Sequence, residues 1–186
     1  IAVDASALVN KGDSGTASMN FNHSTVSNNQ ASASGVTIDN VLIGVNSNAN
    51  VNMEFTTIAS NLGGAGFRTN TTSGIFVGNS ILTNNPGDEC LLPGSTTIEG
   101  SNMFVDDASC NSSTTPTPVT NFDTNLVDNG GTTPTHALLE GSNALGTAFS
   151  SDCIGFLDQR GQNRPEACDA GAFEFRSAYD LTITLG

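Results

Sequence analysis

Basic residues are scarce in this 186-residue chain: Lys and Arg number 5 against 18 Asp and Glu, which gives a formal net charge of −13 at pH 7. A field of that sign repels phosphate backbones and anionic lipid headgroups. Long apolar runs are missing too, since the longest candidate is residues 41–45, whereas a membrane-spanning helix needs about 18 apolar residues. We therefore expect no nucleic-acid partner and no membrane insertion.

Segments with the pattern of a helix are lacking as well. Gly, Asn, Ser and Thr interrupt every window of the sequence, and no apolar pattern with a 3.6-residue period persists. Charged residues make up 12% of the chain, roughly half of the usual ~25%, so the surface must be mostly uncharged and polar. Apolar residues recur instead in short alternating runs, which indicates a folded, all-β protein.

One motif is present three times, at residues 18–29, 50–61 and 74–85. Each copy contains two apolar residues in alternation, which are Met19 and Phe21, Val51 and Met53, and Ile75 and Val77. A strand this short cannot bury its apolar face alone. We therefore expect the copies to stack as parallel strands around one shared core, which predicts a solenoid of coils.

An asparagine closes each copy of the motif, at Asn29, Asn61 and Asn85. In a stacked solenoid these three residues fall at the same corner of successive coils. Asn tolerates left-handed backbone conformations, and stacked Asn side chains can hydrogen-bond from one coil to the next. The pattern predicts a structural asparagine ladder with left-handed backbone at the corner.

The character of the sequence changes after Asn85. We expect one domain over residues 1–186, with repeat coils over 1–85, loop-rich C-terminal coils over 86–175 and a strand-like tail over 176–186. Residues 86–118 contain two cysteines, four prolines and a segment rich in Thr and Ser. That composition is typical of an extended loop on the surface.

A block near the C-terminus carries a family resemblance. Its motifs are DNGGTTPTHALL at 128–139, GSNA at 141–144, DQRG at 158–161, RP at 164–165 and CDAGAFE at 168–174. This block resembles the C-terminal region of bacterial secreted right-handed parallel β-helix proteins, of the choice-of-anchor and polymorphic outer-membrane-like surface type. With the repeats, the resemblance covers about residues 18–175. It implies a right-handed parallel β-helix that is exported to the cell surface or released, and it implies no reaction.

The four cysteines, Cys90, Cys110, Cys153 and Cys168, form an even set that permits three pairings. Sequence order favours Cys90 with Cys110 and Cys153 with Cys168, each closing a short loop. Zinc binding would require a Cys-x-x-Cys pair or nearby histidines, and neither spacing is present. Since the resemblance implies an extracellular or cell-surface location, where disulfides persist, we predict a disulfide-stapled C-terminal region.

Residues in the pattern of a catalytic site are few. His136 and Asp128 could form a triad with one of many serines, but no Gly-x-Ser-x-Gly elbow marks a nucleophile. The alternative for His136 is a local bond beside a strand. A polysaccharide lyase or hydrolase needs a basic residue or several carboxylates on one face, whereas Glu54 is alone among the three copies. We expect no enzyme activity and no catalytic residues.

A calcium site is the cofactor to consider in an acidic extracellular protein. The candidate ligands are Asp88, Glu89, Asp106 and Asp107. A calcium loop usually alternates Asp around a central Gly, and this segment does not. We therefore expect no cofactor and no metal site, with calcium as the alternative.

Both ends of the chain alternate like strands. Leu181, Ile183 and Leu185 share one face of the tail, and Ile1 and Val3 share one face of the leader. These strands either cap their own domain or complete the sheet of a neighbouring copy.

These observations predict a non-enzymatic extracellular structural or adhesion protein, which is a surface scaffold or a head-to-tail filament subunit whose partner is itself. The alternative is a carbohydrate-binding or polysaccharide-degrading module with glycan partners. Trp is absent and Tyr occurs once, so rings on which sugars could stack are few, and this disfavours the alternative.

Overall fold

A computed structural model describes residues 8–12, 15–30, 36–42, 47–71, 74–94, 96, 98–110, 115–148 and 150–177. The strands within them are β1 (Leu8–Gly12), β2 (Gly15–Asn22), β3 (Thr25–Ser27), β4 (Val36–Leu42), β5 (Ser47–Glu54), β6 (Thr57–Ala59), β7 (Ala65–Thr69), β8 (Ile75–Gly78), β9 (Ser80–Thr83), β10 (Cys90–Leu91) and β11 (Met103–Val105). A 3₁₀ turn (Ala108–Cys110) and the short helix α1 (Ser150–Cys153) follow. No helix among these residues is long and apolar enough to cross a membrane.

The strands form three parallel sheets, and consecutive strands fall in different sheets. Their orders are β1-β4-β7-β10, β2-β5-β8 and β3-β6-β9-β11. Through β9 each sheet takes every third strand, so the chain passes through the three sheets in turn. In the second sheet Met19 pairs with Val51 and Val51 with Ile75. The stacking predicted from the repeat, with its register, is confirmed.

The apolar core lies between the three sheets. Residues 51, 53, 75 and 77 of the repeat are buried, whereas Asn52 and Phe76 between them are half-exposed. This is the alternation expected of strands with one face on the core. The buried cluster consists of Val26, Ile38, Val51, Met53, Ile58, Phe67, Ile75, Val77, Leu82, Cys90, Val105 and Cys110. Full burial of each large aliphatic side chain contributes roughly 1.5–3 kcal/mol.

Left-handed residues make the corners between sheets. The corner after β2, β5 and β8 holds His23, Phe55 and Asn79, with φ values of 48°, 49° and 48°, and the corner after β3, β6 and β9 holds Asn28, Ser60 and Asn84, with φ values of 55°, 54° and 56°. The left-handed residue at this corner is thus the one that precedes Asn29, Asn61 or Asn85. Because the preceding residue turns the chain, the side chain of the ladder asparagine points toward the neighbouring asparagines of the stack.

Residues 115–177 lie across the outer face of the sheet β3-β6-β9-β11. Among them the described strand pairing is confined to isolated antiparallel bridges at Phe122–Leu138, Val127–Thr135 and Leu157–Asn163. The expected range of loop-rich coils, 86–175, thus contains β10, β11 and the parallel bridge Phe76–Glu99, which extend the stack. In residues 115–177 the many Gly, Pro and Asn residues favour turns over continuous ladders. Its apolar residues pack on the sheet and form a second cluster with it, which consists of Ile81, Phe104, Ala137, Leu138, Ala144, Ala170 and Phe173. Because Ile81 faces this cluster and Leu82 faces the core between the sheets, β9 is buried on both faces.

Gly171 marks the closest approach of this segment to the sheet. Its amide donates to the carbonyl of Asn79 (2.8 Å). A Cβ at this position would lie 2.7 Å from Ile81 Cδ1 and 2.8 Å from Thr57 Oγ1, and φ is +86°. Both the space and the backbone conformation therefore require glycine here.

Candidate functional site

The two disulfides join the pairs that sequence order favoured, Cys90 with Cys110 and Cys153 with Cys168. The first ties β10 to the 3₁₀ turn at the end of the stack, and the second ties α1 to residue 168. All four cysteines are buried. Two disulfides are compatible with an extracellular location.

The structure brings Asn29, Asn61 and Asn85 together as one ladder. The main-chain N and the Nδ2 of Asn29 both donate to Asn61 Oδ1 (3.1 Å each). The same two atoms of Asn61 donate to Asn85 Oδ1 (3.2 and 2.9 Å). Asn61 Nδ2 also donates to the carbonyl of Val26 (3.1 Å). Each amide thus satisfies backbone groups at a corner where the sheet ladder is interrupted.

Glu89 closes this ladder at its C-terminal end. Its carboxylate accepts from the main-chain N (3.2 Å) and Nδ2 (2.6 Å) of Asn85. Burial raises the pKa of Glu89 to about 7, and the hydrogen bonds from Asn85 partly oppose that shift. Sequence reasoning weighed Glu89 as a calcium ligand and missed this role, because nothing in the sequence marks the residue as the next position in the ladder.

Asp106 and Asp107 are also hydrogen-bonded to the protein, whereas Asp88 is exposed. Asp106 accepts from Thr83 Oγ1 (2.7 and 2.8 Å) and from the amide of Asn84 (2.7 Å). Asp107 accepts from the amide of Glu89 (3.1 Å). Among the described residues, no group of three or more His, Cys, Asp and Glu side chains is arranged to hold a metal ion.

His136 is buried and links the C-terminal segment to the stack. Ser27 Oγ lies 2.7 Å from its Nε2, and the carbonyl of Asp123 lies 3.0 Å from its Nδ1. Burial lowers the pKa of His136. The expected local bond is therefore replaced by one that spans 109 residues. Asp128 is not its partner, since that carboxylate accepts from the amide of Gly130 (2.9 Å).

Two arginines organise the block that carries the family resemblance. Arg160 pairs with Asp158 (2.7 Å), and Arg164 pairs with Glu174 (2.9 Å). Arg164 also donates to the carbonyls of Asp169 (3.0 Å) and Gly171 (2.7 Å). Their charge-assisted hydrogen bonds hold the loops of this block together.

A pocket of about 220 Å³ lies where the first corner of the coils meets α1. We name it the corner pocket, and it is lined by His23, Glu54, Phe55, Ser151, Asp152 and Phe156. Burial raises the pKa of Glu54, and the neighbouring Asp152 adds to the shift. Asp152 accepts from Asn79 Nδ2 (3.1 Å) and Ser151 Oγ (3.1 Å). Sequence reasoning treated Glu54 as isolated because Asp152 is distant in the chain.

Stacked rings form the inner wall of the corner pocket. His23 stacks on Phe55 with ring centroids 5.0 Å apart and on Phe156 with centroids 5.8 Å apart. Arg164 covers the Phe55 ring at 4.2 Å, and its Nε donates to His23 Nδ1 (3.4 Å). Burial, and to a lesser extent the charge of Arg164, together lower the pKa of His23 to about 4. His23 is therefore neutral at pH 7.

A second, more open hollow of about 420 Å³ follows the other corner, beside the ladder. We name it the asparagine groove, and it is lined by Asn28, Ser60, Asn61, Leu62, Asn84, Asn85, Pro86 and Thr124. All of its lining side chains are uncharged. The five residues proposed as assembly strands, Leu181, Ile183, Leu185, Ile1 and Val3, lie outside the described residues.

Comparison with known proteins gives no relative for this chain: no family model matches it, no curated protein is similar to it and no solved structure matches it. The resemblance of its C-terminal block to secreted β-helix surface proteins therefore stays a prediction.

Proposed function

We propose that this chain is a non-enzymatic extracellular structural or adhesion protein, wound as a right-handed parallel β-helix that assembles head to tail through its terminal strands. The observation that carries the proposal is the continuous stacking of strands, in which a residue of each coil lies over its counterpart in the next. Parallel strands joined by crossovers are right-handed in about 98% of cases, which supports that hand of winding. A crystal structure with experimental phases tests the hand directly.

The edge of the stack supports assembly with another strand. In the part of the chain that is described, β2 and β3 each pair with one neighbour, β5 and β6. Neither β2 (GTASMNFN) nor β3 (TVS) contains a charged residue or a proline. Proteins commonly guard free strand edges with such residues. At the same end β1 carries Lys11, so the unguarded edges of β2 and β3 are the ones that favour addition of a further strand.

Electron microscopy and light scattering of the native, non-reduced protein at micromolar concentration test the assembly. We expect filaments in the wild type and none after Leu181→Ser, Ile183→Ser and Leu185→Ser are combined, because the apolar face of the tail strand is then lost. The matched control combines Thr182→Ser and Thr184→Ser on the opposite face, and it is expected to keep the filaments. Uniform monomers in every sample would contradict head-to-tail assembly.

A carbohydrate-binding module is the second candidate, and the asparagine groove favours it. Its amides and hydroxyls can hydrogen-bond to sugar hydroxyl groups, and Leu62, which is more than half exposed, offers an apolar surface.

Affinity electrophoresis in neutral polysaccharides, with an assay for released reducing ends, tests this second candidate. If the groove binds, Leu62→Ala weakens retardation while Leu91→Ala, another exposed leucine on β10, does not. Equal mobility of all three proteins in every polysaccharide rules out the groove as a glycan site, and released reducing ends would overturn the non-enzymatic proposal.

A further inference from the structure

The corner pocket combines negative charge with aromatic surface. Glu54 and Asp152 are its charged lining residues, and no Lys or Arg lines it. His23 contributes no positive charge at pH 7, because its pKa is about 4. Arg164 contacts the Phe55 ring of the pocket wall, but its positive charge is paired with Glu174.

The two carboxylates differ in how the protein satisfies them. Asp152 is oriented by Asn79 and Ser151. The carboxylate of Glu54 has no hydrogen-bond donor among the described residues, although it is half-buried. A half-buried carboxylate beside a second one is electrostatically unfavourable until a cation approaches both.

The rings restrict what kind of cation fits. Phe156 is 50% exposed at the rim, and its contact with His23 places it in a stack whose far end is fixed by Arg164. The Cys153–Cys168 disulfide holds α1, and with it Asp152, against this stack. A strongly hydrated metal ion gains little from such ring surfaces, whereas an organic ammonium group interacts with both rings and carboxylates.

We propose that the corner pocket binds a small organic ammonium group, held between the carboxylates of Glu54 and Asp152 and the ring of Phe156. The volume of about 220 Å³ is below the roughly 300–1,000 Å³ of sites for drug-sized ligands. The ligand is therefore a small amine or a single ammonium-bearing group of a larger molecule. This site does not depend on the proposed assembly, because it lies within one chain.

Two-dimensional NMR titration with choline, followed through backbone amides, tests the proposal on the full chain with both disulfides formed. The neutral isostere 3,3-dimethyl-1-butanol has the same shape without the charge. We expect choline to shift the amides of Glu54, Phe55 and Asp152, and the isostere to bind at least several-fold more weakly. Equal binding of the two compounds, or shifts elsewhere only, would overturn the proposal.

Single substitutions test which side chains of the corner pocket contribute to choline binding. Glu54→Gln is expected to weaken choline binding by about tenfold, and Phe156→Ala by several-fold, with both proteins keeping the wild-type melting temperature within a few degrees. Glu140→Gln removes the same charge from an exposed residue outside the pocket and is expected to change binding little. Equal weakening by Glu54→Gln and Glu140→Gln, or displacement of choline by equimolar calcium chloride, would contradict an organic ammonium site.

Discussion

The stack of strands that ends at Val105 and the segment of residues 115–177 rest on different interactions. In the stack, parallel backbone ladders surround an apolar core, and one asparagine position repeats from coil to coil. In the segment, buried charged side chains replace most of the ladder, since Arg164 alone binds one carboxylate and two main-chain carbonyls. Both regions satisfy nearly all of their described buried polar groups, one by periodic backbone pairing and the other by individual side chains. The buried hydroxyl of Thr37 on β4 is the exception among the described residues, since it has no hydrogen-bond partner.

This difference shows how each region responds to change. In a periodic region the same interaction recurs at equivalent positions, so when one side chain is removed the neighbouring repeats still hold the strand in place. The segment depends on single residues that have no equivalent. We therefore expect the largest losses of stability in the segment, although it has less regular structure.

The largest expected effect is that of Arg164→Met. Because the variant leaves Glu174 buried without its partner, we expect the free energy of unfolding to fall by about 3–5 kcal/mol. Denaturation followed by circular dichroism measures this loss. The control is Arg176→Met, whose side chain is exposed, and which is expected to change stability by less than about 0.5 kcal/mol. Similar losses in the two variants would contradict a special role for Arg164.

Removal of one disulfide from each region compares them directly. Cys153→Ser with Cys168→Ser opens a loop of sequence separation 15, and Cys90→Ser with Cys110→Ser opens one of 20. Loop entropy alone predicts a loss of about 3 kcal/mol for each pair. Limited proteolysis with mass spectrometry is expected to show new cleavage within residues 115–177 only for the first pair. Cleavage within the strands of the stack in that variant would break the proposed division.

Asn61→Ala interrupts the ladder in its middle. It removes the acceptor of Asn29 and the donor to Asn85 in a buried place, and we expect a loss of about 2 kcal/mol in the free energy of unfolding. Thermal and urea denaturation measure it. The exposed Asn20 on β2 provides the matched control, since Asn20→Ala is expected to cost less than about 0.5 kcal/mol. If Asn61→Ala is as stable as the control, the ladder is not a source of stability.

The last expected effect depends on pH and concerns Glu89. Its pKa is raised from the ordinary 4.5 to about 7, so the folded state binds its proton more tightly than the unfolded state does. Stability from this residue is complete below about pH 4.5 and is lost as the pH rises through about 7. We expect Glu89→Gln to flatten the stability profile between pH 5 and 8 by about 2 kcal/mol, whereas Glu140→Gln leaves the profile unchanged. An unaltered slope in Glu89→Gln would contradict the raised pKa.

Sequence reasoning reached the repeat, its register and the disulfide pairs, because those features depend on local alternation and on spacing. It expected loop-rich coils over residues 86–175 without placing any of their strands, since turn-rich segments contain no period from which a partner can be found. It placed the asparagine ladder at a corner with left-handed backbone, but alternation does not show which residue of the polar pair turns the chain.

The corner pocket could not be predicted from the sequence for a related reason. Glu54 lies in a repeat, but Asp152 and Phe156 approach it only after residues 115–177 fold back over the sheet. One signal was present, because His23, Phe55 and Asn79 occupy one equivalent position and two of them carry rings. That pattern indicates a corner of the stack, but it does not indicate which part of the chain packs over that corner.

By itself, the sequence determined a parallel β stack with a shared apolar core, because period-2 alternation and a repeated motif leave few other ways to bury those side chains. Only the tertiary structure decided that β9 is buried on both faces, that His136 bonds to Ser27, that Glu89 ends the asparagine ladder and that two distant carboxylates share a pocket. Each of these depends on contacts between residues far apart in the chain, for which the sequence carries no local physical signal.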